Sequence, residues 1–231
     1  MTLSPEQITA LLQLSSPALP IGGFSYSQGL EAACEAGLVT DEKSAQEWIG
    51  QGLTTVLARC EAPIWCLAYD AWSKGDATPA GYWNDWFLAS RESRELRAET
   101  EQMGWSLAKL AMELEWGPET LRGQFLKMDP LSLPVANAYA ASQLNIPAHA
   151  GLTAYCFTWL ENQVAAAVKV VPLGQVAGQR VLTALRGHIE AVCNEARQRA
   201  AQSPPDLDTF APQLAILSAR HENQYSRLFR S

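Results

Sequence analysis

The stretch SPEQITALLQL, residues 4–14, contains the full set of signals for one α-helix and shows how most of the chain is organised. Ser4 is a good N-cap, Pro5 suits the first helical position, and Gln7 stands three positions after the cap, as in a capping box. The apolar residues that follow recur at the spacing of one helical face: Ile8, Leu11 and Leu12. The sequence therefore predicts a helix over this stretch.

Similar signals recur along the chain, and no segment shows the apolar–polar alternation that marks a β-strand. Predicted helices include the ranges 24–37, 119–127, 134–144, 148–171, 174–200 and 212–228. The proline-rich residues 203–206 resemble a linker, but only about 25 residues follow them, too few for another domain. We therefore predict an all-α, single-domain helical bundle of about ten helices over residues 1–231, with mobile N- and C-terminal segments.

Composition narrows the classes of function. Hydrophobic residues make up 48% of the chain, and its net charge of −7 disfavours attraction to nucleic acid or to anionic lipid. Five cysteines without a CxxC spacing indicate neither a disulfide framework nor a zinc site. The N-terminal residues lack the basic start of a secretory signal, and the longest uncharged apolar run, residues 150–160, is too short to cross a bilayer. We expect a cytoplasmic protein with no nucleic-acid or membrane partner.

The glycine- and serine-rich loop SSPALPIGGFSYSQGLE, residues 15–31, has some features of a catalytic or phosphate-binding turn. A nucleophile elbow needs Gly-x-Ser-x-Gly after a strand, whereas Ser27 stands where the second glycine belongs after Ser25. A phosphate-binding loop needs a lysine, and none occurs before Lys43. We interpret the loop as conformational, with Gly22-Gly23 permitting unusual backbone angles and a serine capping the next helix. A small hydrolase that uses Ser25 is the catalytic alternative.

The histidines give little support for a metal site. His149, His188 and His221 lie far apart in the sequence. The stretch HENQY, residues 221–225, begins like the zinc motif HExxH, but Tyr225 stands where the second histidine belongs. We therefore interpret His221 as a structural, hydrogen-bonding residue and expect no bound metal or cofactor.

The stretch SRESRELRAETE, residues 90–101, is the densest group of charges in the chain. Arg91, Arg94 and Arg97 recur at the i,i+3 spacing of one helical face. That face is either a solvated surface with ion pairs or a surface that binds another helix or a partner's carboxylates. The available i,i+4 pairs place the basic residue first, which is the less favourable order for helix stability. Both interpretations stay open.

Four stretches, in this order along the chain, resemble the urease accessory protein F (UreF) family: LPIGGFSYSQGLE (19–31), ASRESRELRAET (89–100), VAAAVKVVPLGQ (164–175) and SARHENQYSRLFRS (218–231). The first and last are the most specific, because generic helix formation explains neither. The resemblance covers essentially the whole chain. It implies an all-α, homodimeric, non-enzymatic chaperone that bridges the UreD (UreH) scaffold and the nickel-carrying UreG GTPase while nickel is loaded into the urease apoenzyme. Nickel would pass through that complex only transiently.

The resemblance also implies surfaces for partners. The partner-binding candidates lie in the four matching stretches: Tyr26, Glu31, Arg91, Arg94, Arg97, Lys169, Tyr225, Leu228, Phe229 and Arg230. Residues 224–231 are predicted to be mobile in the free protein and ordered by the scaffold, since chain ends are loosely held. A homodimer is predicted as well, because eight tryptophans and apolar helical faces supply surface for it. A helical regulator of another GTPase is the alternative function.

Lys169 interrupts the apolar run 164–171. An unpaired buried ammonium is costly, so the head group is expected to reach solvent or a partner. We predict that Lys169 contacts the GTPase. Because Pro172 ends the helix, Lys169 lies in the last turn, and stabilisation of the exposed carbonyls there is the alternative role.

Overall fold

A computed structural model describes residues 2–231, and these residues form helices and connecting loops without a β-strand. The first helix begins as predicted, because the Ser4 hydroxyl accepts from the backbone N–H of Gln7 and the Gln7 side chain accepts from the backbone N–H of Ser4. The α-helices of this range are α1 (Pro5–Leu14), α2 (Leu30–Glu35), α3 (Glu42–Gln51), α4 (Ala62–Ser73), α5 (Ala77–Ala89), α6 (Arg94–Glu113), α7 (Glu119–Phe125), α8 (Leu133–Gln143), α9 (Ala148–Val170), α10 (Gln175–Arg186), α11 (Ile189–Ala200) and α12 (Pro212–His221). The predicted all-α, single-domain bundle is confirmed.

The centre of the bundle is the packing of α4 against α8. Trp65 and Trp72 on α4 are almost fully buried, and each satisfies its indole N–H on α8: Trp65 donates to Asn137 at 2.9 Å and Trp72 to the carbonyl of Val135 at 3.2 Å. Tyr139 meets the edge of Trp72 with ring centroids 5.1 Å apart. Truncation of such a buried aromatic residue to alanine costs about 3–5 kcal/mol, so this contact is a large part of what holds the fold together.

A π-helix over Gly52–Glu61 joins α3 to α4 without a break, a feature that the sequence did not indicate. Gly52 lets this segment approach α9, because a Cβ at this position would lie 2.8 Å from the ring of Trp159. At the other end, Glu61 is 8% exposed and accepts a hydrogen bond from the hydroxyl of Tyr155. Burial raises the pKa of Glu61. The π-helix therefore places a carboxyl group inside the bundle.

The helix predicted from residue 24 is wrong over its first part. The chain forms only a 3₁₀ turn over Gly23–Ser25 and then takes left-handed φ angles of 51° at Gln28 and 78° at Gly29 before α2 begins. A side chain at position 29 would also meet Leu214, since a Cβ there would lie 2.8 Å from the Leu214 Cδ1 atom. The predicted stop at Gly37 is confirmed by its φ of 72°.

Two later helices are also shorter than predicted. The helix predicted over 174–200 is divided into α10 and α11 at Gly187 and His188. The helix predicted over 212–228 ends at His221, and the residues after it run as an irregular segment. Among the described residues, no helix combines the length and apolar character needed to cross a lipid bilayer.

Candidate functional site

The loop that follows α1, residues 15–29 and here called the first loop, lies directly against the C-terminal segment, residues 222–231. The backbone N–H of Ser27 donates to the backbone oxygen of Ser231 at 2.7 Å, and the N–H of Arg230 donates to the carbonyl of Ser25 at 2.8 Å. The Ser27 hydroxyl also donates to the Ser231 oxygen at 2.6 Å. Two stretches that the resemblance singled out are therefore joined, although they lie at opposite ends of the chain.

Glu31, the first acidic residue of α2, holds the C-terminal segment in place. Its carboxylate accepts from the backbone N–H groups of Leu228 at 2.7 Å and Phe229 at 2.8 Å. The residue is 8% exposed, so these hydrogen bonds form largely away from solvent. Hydrogen bonds to an ionised acceptor are stronger than neutral ones, typically about 1.5–3 kcal/mol each. Glu31 was a candidate for partner binding, and in the structure it binds the protein's own backbone.

His221 lies behind this contact, fully buried, at the end of α12. Its Nε2 is 3.2 Å from Glu31, and its Nδ1 is 2.7 Å from Glu95 on α6. Glu95 also pairs with Arg227 of the C-terminal segment at 2.7 Å. Both ring nitrogens have a carboxylate partner, which confirms the interpretation of His221 as a hydrogen-bonding residue.

Glu99, one turn further along α6, forms a second link. Its carboxylate accepts from the side-chain amide of Gln28 at 2.6 Å and from the hydroxyl of Ser231 at 2.8 Å. Burial raises the pKa of Glu99 to about 7, although these two hydrogen bonds oppose the increase. The cluster formed by Glu31, Glu95, Glu99 and His221 is here called the docking cluster.

Lys169, in the last turn of α9, belongs to the third matching stretch and lies beside the first loop and the C-terminal segment. Its ammonium group is 3.4 Å from the carbonyl oxygen of Phe24, and it lies over the ring of Phe229 at 5.2 Å. The side chain is exposed, as predicted for a lysine in an apolar run. Lys169 therefore stands at the seam between the first loop and the C-terminal segment.

The prediction that three arginines share one helical face is wrong for Arg91. Ser93 caps α6 by accepting from the N–H of Leu96 at 3.1 Å, so Arg91 precedes the helix. Its guanidinium lies over the ring of Phe87, 4.1 Å from the centroid. Arg94 and Arg97 are both on α6 and exposed, and Arg97 pairs with Glu101 at 2.8 Å. Arg97 thus forms an ion pair on its own helix, while Arg91 packs locally; partner binding by Arg94 and Arg97 stays a prediction.

The candidates for partner binding divide by exposure. Tyr26, Glu31 and Phe229 are buried, with exposed fractions of 5%, 8% and 6%. They therefore contribute little free surface in this conformation. The exposed candidates are Arg94, Arg97, Lys169, Tyr225, Leu228 and Arg230. The structure shows residues 224–231 docked, and their mobility in solution stays a prediction.

The serine-hydrolase alternative finds no support in the geometry of the loop. Ser25 ends a 3₁₀ turn that follows an irregular loop and not a strand. Its carbonyl is engaged by the N–H of Arg230. The described residues, 2–231, contain no group of three or more His, Cys, Asp or Glu side chains arranged to hold a metal ion.

Sequence reasoning missed the roles of Glu95 and Glu99. Although they lie four positions apart on α6, Glu95 contacts His221 and Arg227 while Glu99 contacts Gln28 and Ser231. The only signal for this arrangement was indirect, since these partners lie in the first and last of the four stretches that resemble UreF.

The fold and this site define the class of protein: an all-α bundle whose buried carboxylates dock its C-terminal segment on its first loop. Residues 39–186 match the family model UreF, and the chain belongs to the UreF family of urease accessory proteins.

Close relatives extend this similarity over the first loop and the C-terminal segment. A urease accessory protein UreF of Polynucleobacter asymbioticus is 56% identical over 231 residues, covering 100% of both chains. A UreF of Bordetella parapertussis is 61% identical over 220 residues, 95% of this chain and 100% of the relative. A bifunctional urease accessory protein UreEF of Bordetella bronchiseptica is 61% identical over 230 residues; the chain covers 53% of that longer protein.

Proposed function

We propose that this protein is a chaperone for maturation of the urease metallocentre, which bridges the UreD (UreH) scaffold and the UreG GTPase while nickel is delivered to the urease apoenzyme. Membership in the UreF family supports an accessory role in urease assembly. Nickel is the cargo of this process, and no side chain of the chain is assigned to it. The fused UreEF relative also supports a working association with a UreE-type accessory protein.

The observation that carries the proposal is the convergence of all four matching stretches on one surface. The first loop, the start of α6, the end of α9 and the C-terminal segment meet around the docking cluster. Tyr225 is fully exposed and Leu228 is 63% exposed on this surface. Exposed aromatic and arginine side chains are the residues most often found to dominate binding energy at protein interfaces, which makes this surface suited to partners.

Reconstitution from purified proteins tests the bridging role. The full chain is mixed with scaffold and GTPase, and the products are separated by size-exclusion chromatography with light scattering. We expect one complex that contains all three proteins and no stable scaffold–GTPase complex when the chain is left out. In a strain that lacks its own UreF, the chain should restore nickel-dependent urease activity. Recovery of an unrelated GTPase from a cell extract, without urease proteins, would support the alternative regulator instead.

Lys169 is proposed as a contact to the GTPase. Lys169→Ala removes a helix-terminal cation worth about 0.3–1 kcal/mol, so the melting temperature should fall by only ~1–4 °C. We expect weaker binding of the GTPase by the folded variant, measured by calorimetric titration. Lys109→Ala is a matched control, because Lys109 on α6 also lies near an aromatic ring, that of Trp105 at 5.7 Å. A lowered melting temperature with unchanged GTPase affinity would assign Lys169 to stabilisation of the helix end.

The proposed active form is a homodimer. Several large apolar side chains are exposed in this single chain, among them Leu12, Phe210, Val176 and Ile216. Isologous pairing is the commonest way for soluble proteins to cover such surface. Light scattering of the protein alone at micromolar concentration should give twice the chain mass, and a monomer under these conditions would contradict the proposal.

A further inference from the structure

Two thiols face each other where α9 packs against α11. The sulfur atoms of Cys156 on α9 and Cys193 on α11 are 3.9 Å apart. Both residues are buried: Cys156 completely, and Cys193 with 6% of its surface exposed. A disulfide bond is about 2.0 Å long, so the two sulfurs need to approach by roughly 2 Å to be joined.

The two thiols differ in their access to solvent. Cys193 lines a surface groove of about 1230 Å³ together with Thr153, Asn194 and Arg197. The Thr153 hydroxyl is 3.9 Å from the Cys193 sulfur. Cys156 is not among the groove-lining residues and is completely buried. A small solute in the groove therefore reaches Cys193, with Cys156 in contact beyond it.

The surroundings favour ionisation of the Cys193 thiol, which lines the groove. The contact with the Cys156 sulfur, supported by Thr153 and by the positive charge of Arg197, lowers the pKa of Cys193, although burial opposes the decrease. The pKa of Cys156 is correspondingly raised, by its interaction with Cys193 and by burial. The neighbouring Cys66 is a poor competitor, because burial raises its pKa to about 12. The thiolate is the reactive form of cysteine, so the accessible thiol is also the more reactive one.

We propose that Cys193 is a site of reversible oxidation by hydrogen peroxide and that Cys156 is its resolving thiol. The Cys193 thiolate attacks one peroxide oxygen, the O–O bond breaks, and the departing hydroxide takes a proton to become water. The sulfur, now a sulfenic acid, has lost two electrons to the peroxide. The Cys156 sulfur then attacks it, the S–O bond breaks, and the hydroxyl leaves as a second water with the Cys156 proton. The product is a disulfide between α9 and α11.

Peptide mapping of the full-length protein after peroxide treatment tests this site. The protein is exposed to a small excess of hydrogen peroxide at neutral pH, quenched with N-ethylmaleimide and analysed by mass spectrometry. We expect a Cys156–Cys193 cross-link that dithiothreitol reverses. In Cys156→Ser, dimedone should label a sulfenic acid at Cys193. If this variant does not fold, the presence or absence of the Cys156–Cys193 cross-link in the wild-type protein decides the test.

Cys34 provides the internal reference, because it is half-buried and its pKa is raised to about 11. Because the pKa of Cys193 is lowered and that of Cys34 is raised, Cys193 holds the larger fraction of thiolate at neutral pH and should be oxidised faster than Cys34. Cys34→Ser should leave the cross-link unchanged, while Cys193→Ser should abolish it. The proposal is overturned if Cys193 is oxidised no faster than Cys34, or if the wild-type disulfide joins any other pair.

Discussion

At the scale of single residues, Glu31 has the most direct control over the docked C-terminal segment. It satisfies two consecutive backbone N–H groups and one nitrogen of His221 with a single carboxylate. A buried N–H group without an acceptor has lost its hydrogen bonds to water without replacement, which is unfavourable. Removal of the Glu31 carboxylate therefore destabilises the docked segment itself. The conformation of residues 228–229 therefore depends on a residue of α2 that lies 197 positions earlier than Leu228.

Glu31→Ala is expected to free the C-terminal segment without unfolding the bundle. Each lost hydrogen bond to the charged acceptor costs about 1.5–3 kcal/mol, which corresponds to roughly 10–100-fold faster amide exchange at Leu228 and Phe229. Hydrogen–deuterium exchange by NMR measures both amides directly. Glu35→Ala, an exposed position on the same helix, is the matched control. Equal protection of the two amides in both variants would show that Glu31 does not hold the segment.

Glu99 makes the stability of the fold depend on pH. Its pKa rises from 4.5 in the unfolded chain to about 7 in the folded protein because of burial. The folded state therefore binds the proton more tightly. The contribution of Glu99 to the free energy of unfolding falls as the pH rises through the window between 4.5 and about 7. Below the window both states are protonated, and above it the fold carries the full cost of a buried carboxylate.

Glu99→Gln removes this titration: its single amide oxygen replaces the carboxylate oxygen that accepts from Gln28, and its amide NH2 group faces the Ser231 hydroxyl, which can accept a hydrogen bond. Relative to the wild type, the variant should gain about 2–3 kcal/mol of stability between about pH 5 and about pH 8, at 1.36 kcal/mol per pKa unit. Urea denaturation at the two pH values gives the difference. Glu92→Gln, at an exposed position, should show no such gain. A parallel pH dependence in wild type and Glu99→Gln would mean that this carboxyl group is not the source.

At the scale of elements, the position of α6 depends on Gly104. A Cβ at this position would lie 2.1 Å from the carbonyl oxygen of Leu131 and 2.8 Å from the backbone carbon of Ser132. Backbone atoms cannot move aside as the end of a side chain can. Only glycine thus lets α6 pack this closely against the segment that leads into α8.

Gly104→Ala should destabilise the protein by about 1–3 kcal/mol or more through this overlap. Gly123→Ala in α7 is the matched control, since nothing lies within 4 Å of the position that its methyl group would take, and the helix gains about 0.5–1 kcal/mol from alanine. For a domain of this size the melting temperatures should move apart by roughly 3–16 °C. Calorimetry that shows similar shifts for the two variants would disprove the close approach.

The elements that sequence predicts well are those with local signals. The capping box at Ser4 and the stop at Gly37 each need only a few neighbouring residues, and both are confirmed. The break at Gln28-Gly29 and the end of α12 at His221 were missed, because they depend on contacts with Leu214 and with two distant carboxylates. The resemblance supplied the four stretches of the candidate site, but not which of their residues face inward. Burial of Phe229 and Tyr26 follows from the tertiary pairing of loop and segment, which no periodicity reveals.

At the scale of the whole molecule, the bundle brings the first loop and the C-terminal segment to one surface. The α4–α8 core fixes the scaffold, and the docking cluster fixes the first loop and the C-terminal segment upon it. On this surface Phe229 faces inward, whereas Tyr225 and Leu228 project outward. The inward residue holds the segment, and the outward residues are the ones that we propose to bind the scaffold.

The most direct test of this account is the affinity of the Tyr225→Ala/Leu228→Ala double variant for the urease scaffold. Interface anchors commonly contribute about 1–2 kcal/mol or more each, so the dissociation constant should rise roughly 10–1000-fold. Exposed substitutions change stability little, by about 0.5 kcal/mol or less each, so the fold should persist. Tyr82→Ala on α5, where Tyr82 is 61% exposed, should bind like the wild type. Unchanged scaffold affinity in the folded double variant would contradict the claim that the docked C-terminal segment forms the partner-binding surface.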